Sequence, residues 1–296
     1  MRKILATAAV SSIALIGFSV TPALATTPAP GINYSMANTL SDSVGASTLT
    51  AAPICSSPAV EDICNVSASY GTDTHGNFWH WVTTQGNGGG ASLVTNARLG
   101  ETYTLSIKFA LDELSNEEDP DKYSKILDFM DLTSDAGIYA HGDSSPYTIS
   151  SDLDEGSTTV EVGEVVEMTI VRDASVSPAT FTLYIKNSSG LVTAFQAEDS
   201  DPLYVAANSG AGSVIHLFQE ENETYGESHE GVKEGRLYGV QAWPGVALTE
   251  SQVDGINFTS NLAETGVDAA QSSAMLGFGV AAIIAGVAVI VRRRRA

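Results

Sequence analysis

The chain has 296 residues, enough for one or two domains, and carries a formal net charge of −21. A surface this acidic repels nucleic acids and anionic polymers, which excludes them as partners, and it suits divalent cations or neutral ligands. Charged residues make up only 17% of the chain and there are 27 glycines, which favours a turn-rich β protein over a coiled coil or a disordered chain.

The first 25 residues have the pattern of a secretory signal peptide. Arg2 and Lys3 form a short positive start, and residues 4–20 are an apolar run. Small residues then produce an Ala-x-Ala cleavage pattern between Ala25 and Thr26. We expect export through the Sec pathway and removal of this segment. The alternative, a retained N-terminal anchor, is disfavoured by the short apolar run and the good cleavage site.

Residues 26–53 are rich in Thr, Ala, Ser and Pro and show no sustained periodicity, so we expect a flexible N-terminal extension. The only two cysteines of the chain, Cys55 and Cys64, follow it. In an exported protein this pair predicts a disulfide. Because the closed loop is short, the disulfide would stabilise the fold by about 2–3 kcal/mol.

Strand-like patterns dominate the middle of the chain. Apolar and polar residues alternate with period two in 102–109 and 180–186. Further candidate strands, separated by turn-forming residues, are 125–130, 165–172, 191–196, 214–219 and 236–243. Only 249–253 has the capping pattern of a helix. Many short strands predict an all-β fold, a two-sheet antiparallel sandwich or jelly roll that occupies residues 54–258.

Several collinear segments of this region resemble one family. They are 124–129 (SKILDF), 134–139 (SDAGIY), 169–174 with 181–185, 215–221 (IHLFQEE), and 236–238 with 246–249. In this order they resemble the bacterial laminin-G-like, concanavalin A-type domains over about residues 99–255. The resemblance implies a concanavalin A-like sandwich with a lectin-like role. The departures are Glu220 and Glu221 where the family has two aspartates, and residues 242–244 in the last strand, so the fold carries over better than the binding residues.

The same resemblance implies a structural Ca²⁺ near the rim of a sheet. Calcium takes six to eight hard oxygen ligands, usually including two or more carboxylates. The candidate ligands are Asp131, Asp135, Glu220, Glu221 and Glu227. The alternative is ordinary surface acidity, because a chain with 35 carboxylates forms such clusters by chance.

We find no motif that supports catalysis. Glucanases on the same sandwich place Glu-x-Asp-x-x-Glu on one strand, and the nearest pattern here, Glu161, Glu164 and Glu167, lacks the aspartate. Alternation puts Val166 and Met168 on one face and Glu167 on the other, so we interpret the glutamates as an acidic solvent face. A hydrolase, the alternative, would depend on Glu164 or Glu167.

Aromatic side chains suggest carbohydrate binding, because sugar sites use an exposed ring for stacking. The candidates are Phe78, Trp79, Trp81 and Trp243. Trp79 and Trp81 occupy alternate positions and should share one strand face. We favour a place in the core for them, since large aromatic residues dominate protein cores.

The C-terminal segment has parts in a fixed order. The pentapeptide Leu262, Ala263, Glu264, Thr265, Gly266 comes first. A small-residue spacer (267–274), an apolar run (275–291) and a basic tail with four arginines (292–296) follow. Seventeen apolar residues span about 25 Å as a helix, enough for a thin bilayer, and the arginines stay on the cytoplasmic side. We therefore predict a transmembrane helix with its N-terminus outside.

This order resembles the cell-wall sorting signal of Gram-positive surface proteins, Leu-Pro-x-Thr-Gly before a hydrophobic helix and a basic tail. Ala263 replaces the proline, as in a variant read by a sortase class of high-GC actinobacteria. The resemblance implies that a sortase cuts between Thr265 and Gly266 and joins Thr265 to a peptidoglycan amine. The alternative is a single-pass membrane protein with a chance pentapeptide.

We therefore expect a cell-wall protein, in the membrane only before sorting, that binds a glycan or a protein ligand in adhesion. A structural wall component and a pilin-like subunit are the alternatives. Residues 184–187 (YIKN) resemble the lysine motif of sortase-built pili, although they coincide with a hairpin of the laminin-G-like pattern. Removal of both ends takes away six of the 14 basic residues and one of the 35 acidic ones, so the net charge becomes −26. No stalk follows residue 258, which places the domain close to its attachment point.

Overall fold

The computed structural model describes residues 26–45, 47–51, 66–83, 93–95, 98–114, 123–130, 137–142, 146–151, 158–200, 205, 215–219 and 232–258. Within them the chain forms fifteen strands and one short helix. The strands are β1 Ile32–Tyr34, β2 Thr50–Ala51, β3 Val66–Asp73, β4 Gly76–Thr83, β5 Leu93–Thr95, β6 Tyr103–Leu114, β7 Tyr123–Asp128, β8 Gly137–His141, β9 Tyr147–Ser151, β10 Thr159–Val160, β11 Val166–Asp173, β12 Ala179–Asn187, β13 Gly190–Asp199, β14 Ile215–Leu217 and β15 Val232–Pro244. The helix, α1, is Glu250–Asp254.

The strands form two sheets. The larger sheet has the order β13-β12-β11-β6-β15-β4-β3, with β1 also beside β15, and the smaller sheet has the order β10-β9-β8-β7-β14-β5-β2. Every strand pairing in the described part of the chain is antiparallel. The all-β, antiparallel prediction is therefore confirmed.

Aromatic side chains show that the two sheets pack face to face. The ring of Trp81 on β4 lies 4.5 Å from the ring of Phe218, which follows β14 in the other sheet. Phe109 on β6 lies 5.6 Å from the same ring. Trp79 stacks on Trp81 and both are buried. The two tryptophans are core residues, as expected, and the fold is a two-sheet sandwich.

The alternation read from the sequence positions the side chains of the larger sheet. Leu105, Ile107 and Phe109 on β6 are buried in the core between the sheets. Their neighbours Ser106 and Lys108 lie on the opposite, outer face, as the period of two in a strand requires. The outer face of the larger sheet is therefore the surface on which the polar residues of these strands meet.

The prediction of a flexible extension over residues 26–53 differs from the structure. β1 pairs with β15, opposite Val240 to Ala242, where β4 no longer covers that strand. Tyr34, Met36 and Leu49 are buried in the core. Strands of two or three residues are too short to show a periodic pattern, which is why this contribution was missed. The hydrophobic clusters of the described residues thus begin at Ile32, not after residue 53.

The helix agrees with its capping signal. The backbone N–H of Thr249 donates to Gln252 Oε1 at 3.0 Å, and the backbone N–H of Gln252 donates to the carbonyl of Thr249 at 2.9 Å. No helix among the described residues is long and apolar enough to cross a membrane. The predicted signal peptide, the cysteine pair and the C-terminal sorting segment lie outside the described residues.

Candidate functional site on the outer face of the larger sheet

One half of the outer face of the larger sheet is covered by the segment that follows β15, residues 245–258. Leu248, Val253 and Ile256 form an apolar cluster with Val171 and Trp243. The indole N–H of Trp243 donates to the carbonyl of Pro28 at 2.8 Å. Trp243 is therefore buried like the other two tryptophans, and none of the three is exposed for stacking on a sugar.

The other half of this face is open and carries a group of polar side chains that we call the polar patch. Its members, all partly exposed except the more buried Tyr238, are Asp73, His80, Asp112, Glu234, Arg236 and Tyr238. They come from β3, β4, β6 and β15. Strand pairing brings them together, because Arg236 lies opposite both Ala110 of β6 and His80 of β4.

Arg236 is the centre of the polar patch. Its Nε and one terminal nitrogen each donate to a different oxygen of Asp112 at 2.9 Å, a bidentate pair. The other terminal nitrogen donates to the hydroxyl of Tyr238 at 3.0 Å. Hydrogen bonding to Asp112 is the main cause that raises the pKa of Arg236. This network fixes the guanidinium, so its position is set before any ligand arrives.

A register shift in β15 accompanies the placement of Tyr238 in the polar patch. The pairing of β15 with β6 shifts between Leu237 and Gly239, and Tyr238 lies within the shift. Such bulges redirect side chains and are common beside functional sites. The Tyr238 hydroxyl donates to Asp73 at 2.6 Å. Burial is the main cause that raises the pKa of Tyr238, and the hydrogen bond to Asp73 adds to it.

Asp73 is held as a carboxylate. Burial by itself would raise its pKa, but hydrogen bonds from the Tyr238 hydroxyl and the His75 backbone N–H, with the nearby charges of His75 and Arg236, lower the pKa below its ordinary value. At neutral pH the patch therefore presents acceptor oxygens beside fixed donors. Polar groups of both kinds are what the orientation of a hydroxyl-rich ligand requires.

Aromatic rings border the polar patch. Phe78 lies over Gly71, where a Cβ would come within 2.3 Å of the ring, so only glycine permits this position. The rings of Phe78 and Tyr238 meet edge to face with centroids 5.6 Å apart. Lys108 Nζ lies 5.8 Å from the Tyr238 ring centroid. Of the four aromatic candidates, Phe78 is the one that the structure places at the patch.

Three ligand-type side chains of the patch converge. Atoms of His80, Asp112 and Glu234 lie within 4.8 Å of one another, and His80 Nε2 is 2.9 Å from Glu234 Oε1. A divalent cation here would compete with Arg236, which already engages both oxygens of Asp112. Sequence spacing did not reveal this trio, because its members are brought together by pairing of strands that are distant along the chain.

The three glutamates considered for hydrolysis lie in two different places, Glu167 on β11 and Glu161 and Glu164 in the turn before it. Val166 and Met168 are buried and Glu167 lies on the outer face, which confirms the predicted alternation. Burial raises the pKa of Glu167, against the opposing effect of the charges of Lys186 and Lys108. Glu164 instead accepts the backbone N–H of Glu161 at 3.1 Å in a turn. This arrangement fits the interpretation as a charged outer face.

The lysine of the YIKN segment is engaged within the domain. Lys186 lies near the end of β12, just before the turn to β13, and its Nζ is 3.1 Å from Asp254 Oδ1. It also donates to the carbonyl of Asp254. This position agrees with a hairpin residue that ties α1 to the sheet.

The other predicted site residues are mostly outside the described part of the chain. These are the calcium candidates Asp131, Asp135, Glu220, Glu221 and Glu227, the cysteines, Ala25 and the sorting motif. Thr26 is described, and its carbonyl is 3.5 Å from Gln252 Nε2. The hydroxyl of Thr27 donates to the carbonyl of Gln252 at 2.6 Å. The residues after the predicted cleavage site thus pack beside α1.

Comparison with known proteins gives only weak structural similarities. No family model matches the chain, and no curated protein matches it. The receptor binding domain of botulinum neurotoxin mosaic serotype C/D is 10% identical with a TM-score of 0.45, covering 76% of this chain and 49% of that chain. The botulinum neurotoxin serotype G binding domain is 10% identical with a TM-score of 0.46, covering 76% and 50%. A sialidase from Trypanosoma rangeli is 14% identical with a TM-score of 0.39, covering 68% and 32%. The chain spans about half the length of the toxin domains that it matches.

Proposed function

We propose that this protein is an exported surface protein, attached to peptidoglycan by a sortase, whose sandwich binds a neutral glycan at the polar patch. The sandwich would be of the concanavalin A-like type that the sequence resembles. The observation that carries the binding proposal is the open half of the outer face of the larger sheet. There fixed donors, carboxylate acceptors and aromatic rings lie together on one partly exposed surface, in which Tyr238 is the most buried member.

The chemistry of the polar patch favours a neutral ligand. Sugar hydroxyls both donate and accept hydrogen bonds, and the patch offers carboxylate acceptors beside guanidinium and imidazole groups. Three carboxylates, Asp73, Asp112 and Glu234, outnumber the two nearby cations, Arg236 and Lys108, so an anionic ligand would be repelled. An uncharged saccharide satisfies both conditions.

The anchoring proposal rests on the C-terminal pattern and on the position of Phe258, the last residue that the structure describes. Phe258 packs on the outer face, since a Cβ on Gly239 would lie 2.8 Å from its ring. Thr265 is seven residues further on, a reach of about 25 Å even when fully extended. The polar patch would therefore lie close to the wall polymer to which Thr265 is joined, and its ligands would be met at or within the envelope.

Calcium and the disulfide remain predictions within this proposal. The five carboxylates Asp131, Asp135, Glu220, Glu221 and Glu227 would hold a structural ion by the family resemblance. The pair Cys55 and Cys64 would form one disulfide after export. The protein would have no catalytic activity of its own, because the sequence carries no motif that supports catalysis.

The binding proposal is tested by screening residues 26–265 on a glycan array, with Ca²⁺ and then with EDTA. We expect saturable binding that is lost in His80→Ala and Arg236→Ala variants but retained in Thr193→Ala, an exposed change on the distant strand β13. Binding that is abolished by EDTA would assign Ca²⁺ a role in the site. Binding that is unaffected by both patch variants would contradict the proposed site, and no binding in either condition would favour a structural wall component.

A further inference from the structure

We propose that the protein forms a dimer in which β3 pairs antiparallel with β3 of a second copy, so that two larger sheets become one. β3 is the last strand of the larger sheet and pairs with β4 over its whole length without a register shift. Within the described residues, no strand and no backbone hydrogen bond occupies its other side. Residues 67–70 are exposed. Among the described residues, this edge of β3 therefore presents a row of backbone donors and acceptors that no other strand pairs with.

Apart from the charge of its last residue, Asp73, β3 lacks the features that protect edge strands from pairing. Exposed edges are normally guarded by charges, prolines, bulges or very short length. Residues 66–72 contain no charge and no proline, in a chain with 35 acidic residues. At the opposite edge of this sheet, β13 has a register shift and ends in Glu198 and Asp199. The edge strands of the smaller sheet, β2 and β10, have two residues each.

The residues of β3 are complementary to themselves. An antiparallel pair centred on Ser69 sets Ser69 opposite its own copy, Ala68 opposite Tyr70, and Ser67 opposite Gly71. The large Tyr70 then meets the small Ala68, Ser67 meets Gly71, and no charge faces another charge. Tyr70, which is 39% exposed in the monomer, would be covered in the dimer. Symmetric pairing of one patch with itself is the usual geometry of a two-fold dimer.

The net charge of the protein favours the uncharged residues 66–72 of β3 as the dimer contact. Two copies with a net charge of −26 repel each other wherever carboxylates meet, and an uncharged strand is where that repulsion is smallest. The dimer would place two polar patches on one continuous outer face, because Asp73 and His80 belong to β3 and β4. Two sites on one rigid surface would raise the avidity for a repeating polymer. The dimer itself does not depend on the proposed ligand.

The test is the mass of residues 26–265 in solution, measured by light scattering and sedimentation over a concentration series. This segment contains every residue of both hydrophobic clusters, so it includes the whole described core. We expect a monomer–dimer equilibrium that strengthens with added salt, because about 1 M salt reduces the Debye length to about 3 Å and screens the repulsion. Ser69→Glu should weaken association roughly tenfold or more, since two carboxylates would face each other across the two-fold axis.

The matched control is Thr193→Glu. It adds the same charge to an exposed position on β13, on the outer face of the larger sheet, where Ser69 also lies. It should dimerise almost as well as the unmodified protein. In Ser69→Cys protein, oxidation should give a disulfide between the two introduced cysteines, identified by peptide mapping, which tests the register even if the glutamate variant folds poorly. A monomer at all concentrations and salt levels, or a dimer that Ser69→Glu leaves unchanged, would overturn the inference.

Discussion

Arg172 is a charged residue on the core side of a strand. Its neighbours across the larger sheet are Tyr103 and Phe181, both buried, and Arg172 itself is only 4% exposed. Its Nε donates to Asp199 Oδ2 at 2.6 Å, and a terminal nitrogen donates to the carbonyl of Glu101. The ion pair therefore connects β11 with the end of β13, and each charge depends on the other for compensation.

Replacement of one partner should leave a buried charge. We expect Asp199→Ala to lower the free energy of unfolding by about 3–5 kcal/mol, because Arg172 would lose its carboxylate without gaining water. Denaturant unfolding followed by circular dichroism measures this. Glu198→Ala, the exposed neighbour on the same strand, is the control and should change the stability by less than about 0.5 kcal/mol. An equal, small effect of both changes would mean that Arg172 has another way to be neutralised.

The hydroxyl of Tyr238 should control the ionisation of Asp73. Tyr238→Phe removes the hydrogen bond to the Asp73 carboxylate, so the pKa of Asp73 should rise toward or above its ordinary value of 3.8. A lowered pKa in the folded state contributes stability that is present above the unfolded value and is lost as the pH falls through the folded value. The variant should therefore lose less stability on acidification than the unmodified protein.

Carboxyl-carbon NMR titration measures the Asp73 pKa directly. Tyr184→Phe, another tyrosine of the outer face, is the control and should leave that pKa unchanged. If the Asp73 pKa is the same in both variants, the hydrogen bond from Tyr238 does not lower the pKa of Asp73.

The strand face on which a side chain lies was predictable from the sequence wherever apolar and polar residues alternate. Trp79, Trp81 and Glu167 lie on the faces that period two assigns. The polar patch was not predictable, because it depends on which strands pair and in which register. Arg236 meets Asp112 across 124 positions of sequence, and a bulge turns Tyr238 toward Asp73.

At the scale of elements, regular alternation identified several strands but missed the eight-residue strands β3 and β4 as well as the shortest ones. The segments 180–186 and 191–196 lie within β12 and β13, and all of 102–109 except Thr102 lies within β6; these strands have nine to twelve residues each. β1 and β2, with three and two residues, show no period, and the sequence therefore predicts a flexible extension where they lie. β1 and β2 are stabilised by pairing with β15 and β5, which are distant along the chain. A local sequence pattern carries no information about such a pairing.

β1 should be an integral part of the domain. Deletion of residues 26–36 from the mature chain would remove β1 together with the buried Ile32, Tyr34 and Met36. Each buried side chain of this size is worth about 2–5 kcal/mol, so the total loss approaches the stability of a whole domain. We expect the truncated protein to lose cooperative thermal unfolding. Replacement of the exposed turn residue Ser188 by alanine is the control and should leave cooperative unfolding intact. A truncated protein that still melts cooperatively near the original temperature would support the flexible extension instead.

At the scale of the whole molecule, charge and chain ends define the expected setting. The mature chain would carry a net charge of −26, which limits its partners to neutral or cationic groups. Its first residues pack beside α1, and its last described residue lies on the outer face of the larger sheet. Both ends of the domain therefore meet on the side that carries the polar patch, and anchoring at Thr265 would keep that side near the wall.

The central claim, sortase anchoring of this domain to the wall, is tested most directly at its covalent bond. Mass spectrometry of the C-terminal peptide, after release of the protein from intact walls with a muramidase, identifies the last residue and whatever is joined to it. We predict that the peptide ends at Thr265 in an amide bond with a peptidoglycan fragment. A protein that is extracted by detergent alone and still carries residues 266–296 would contradict the account.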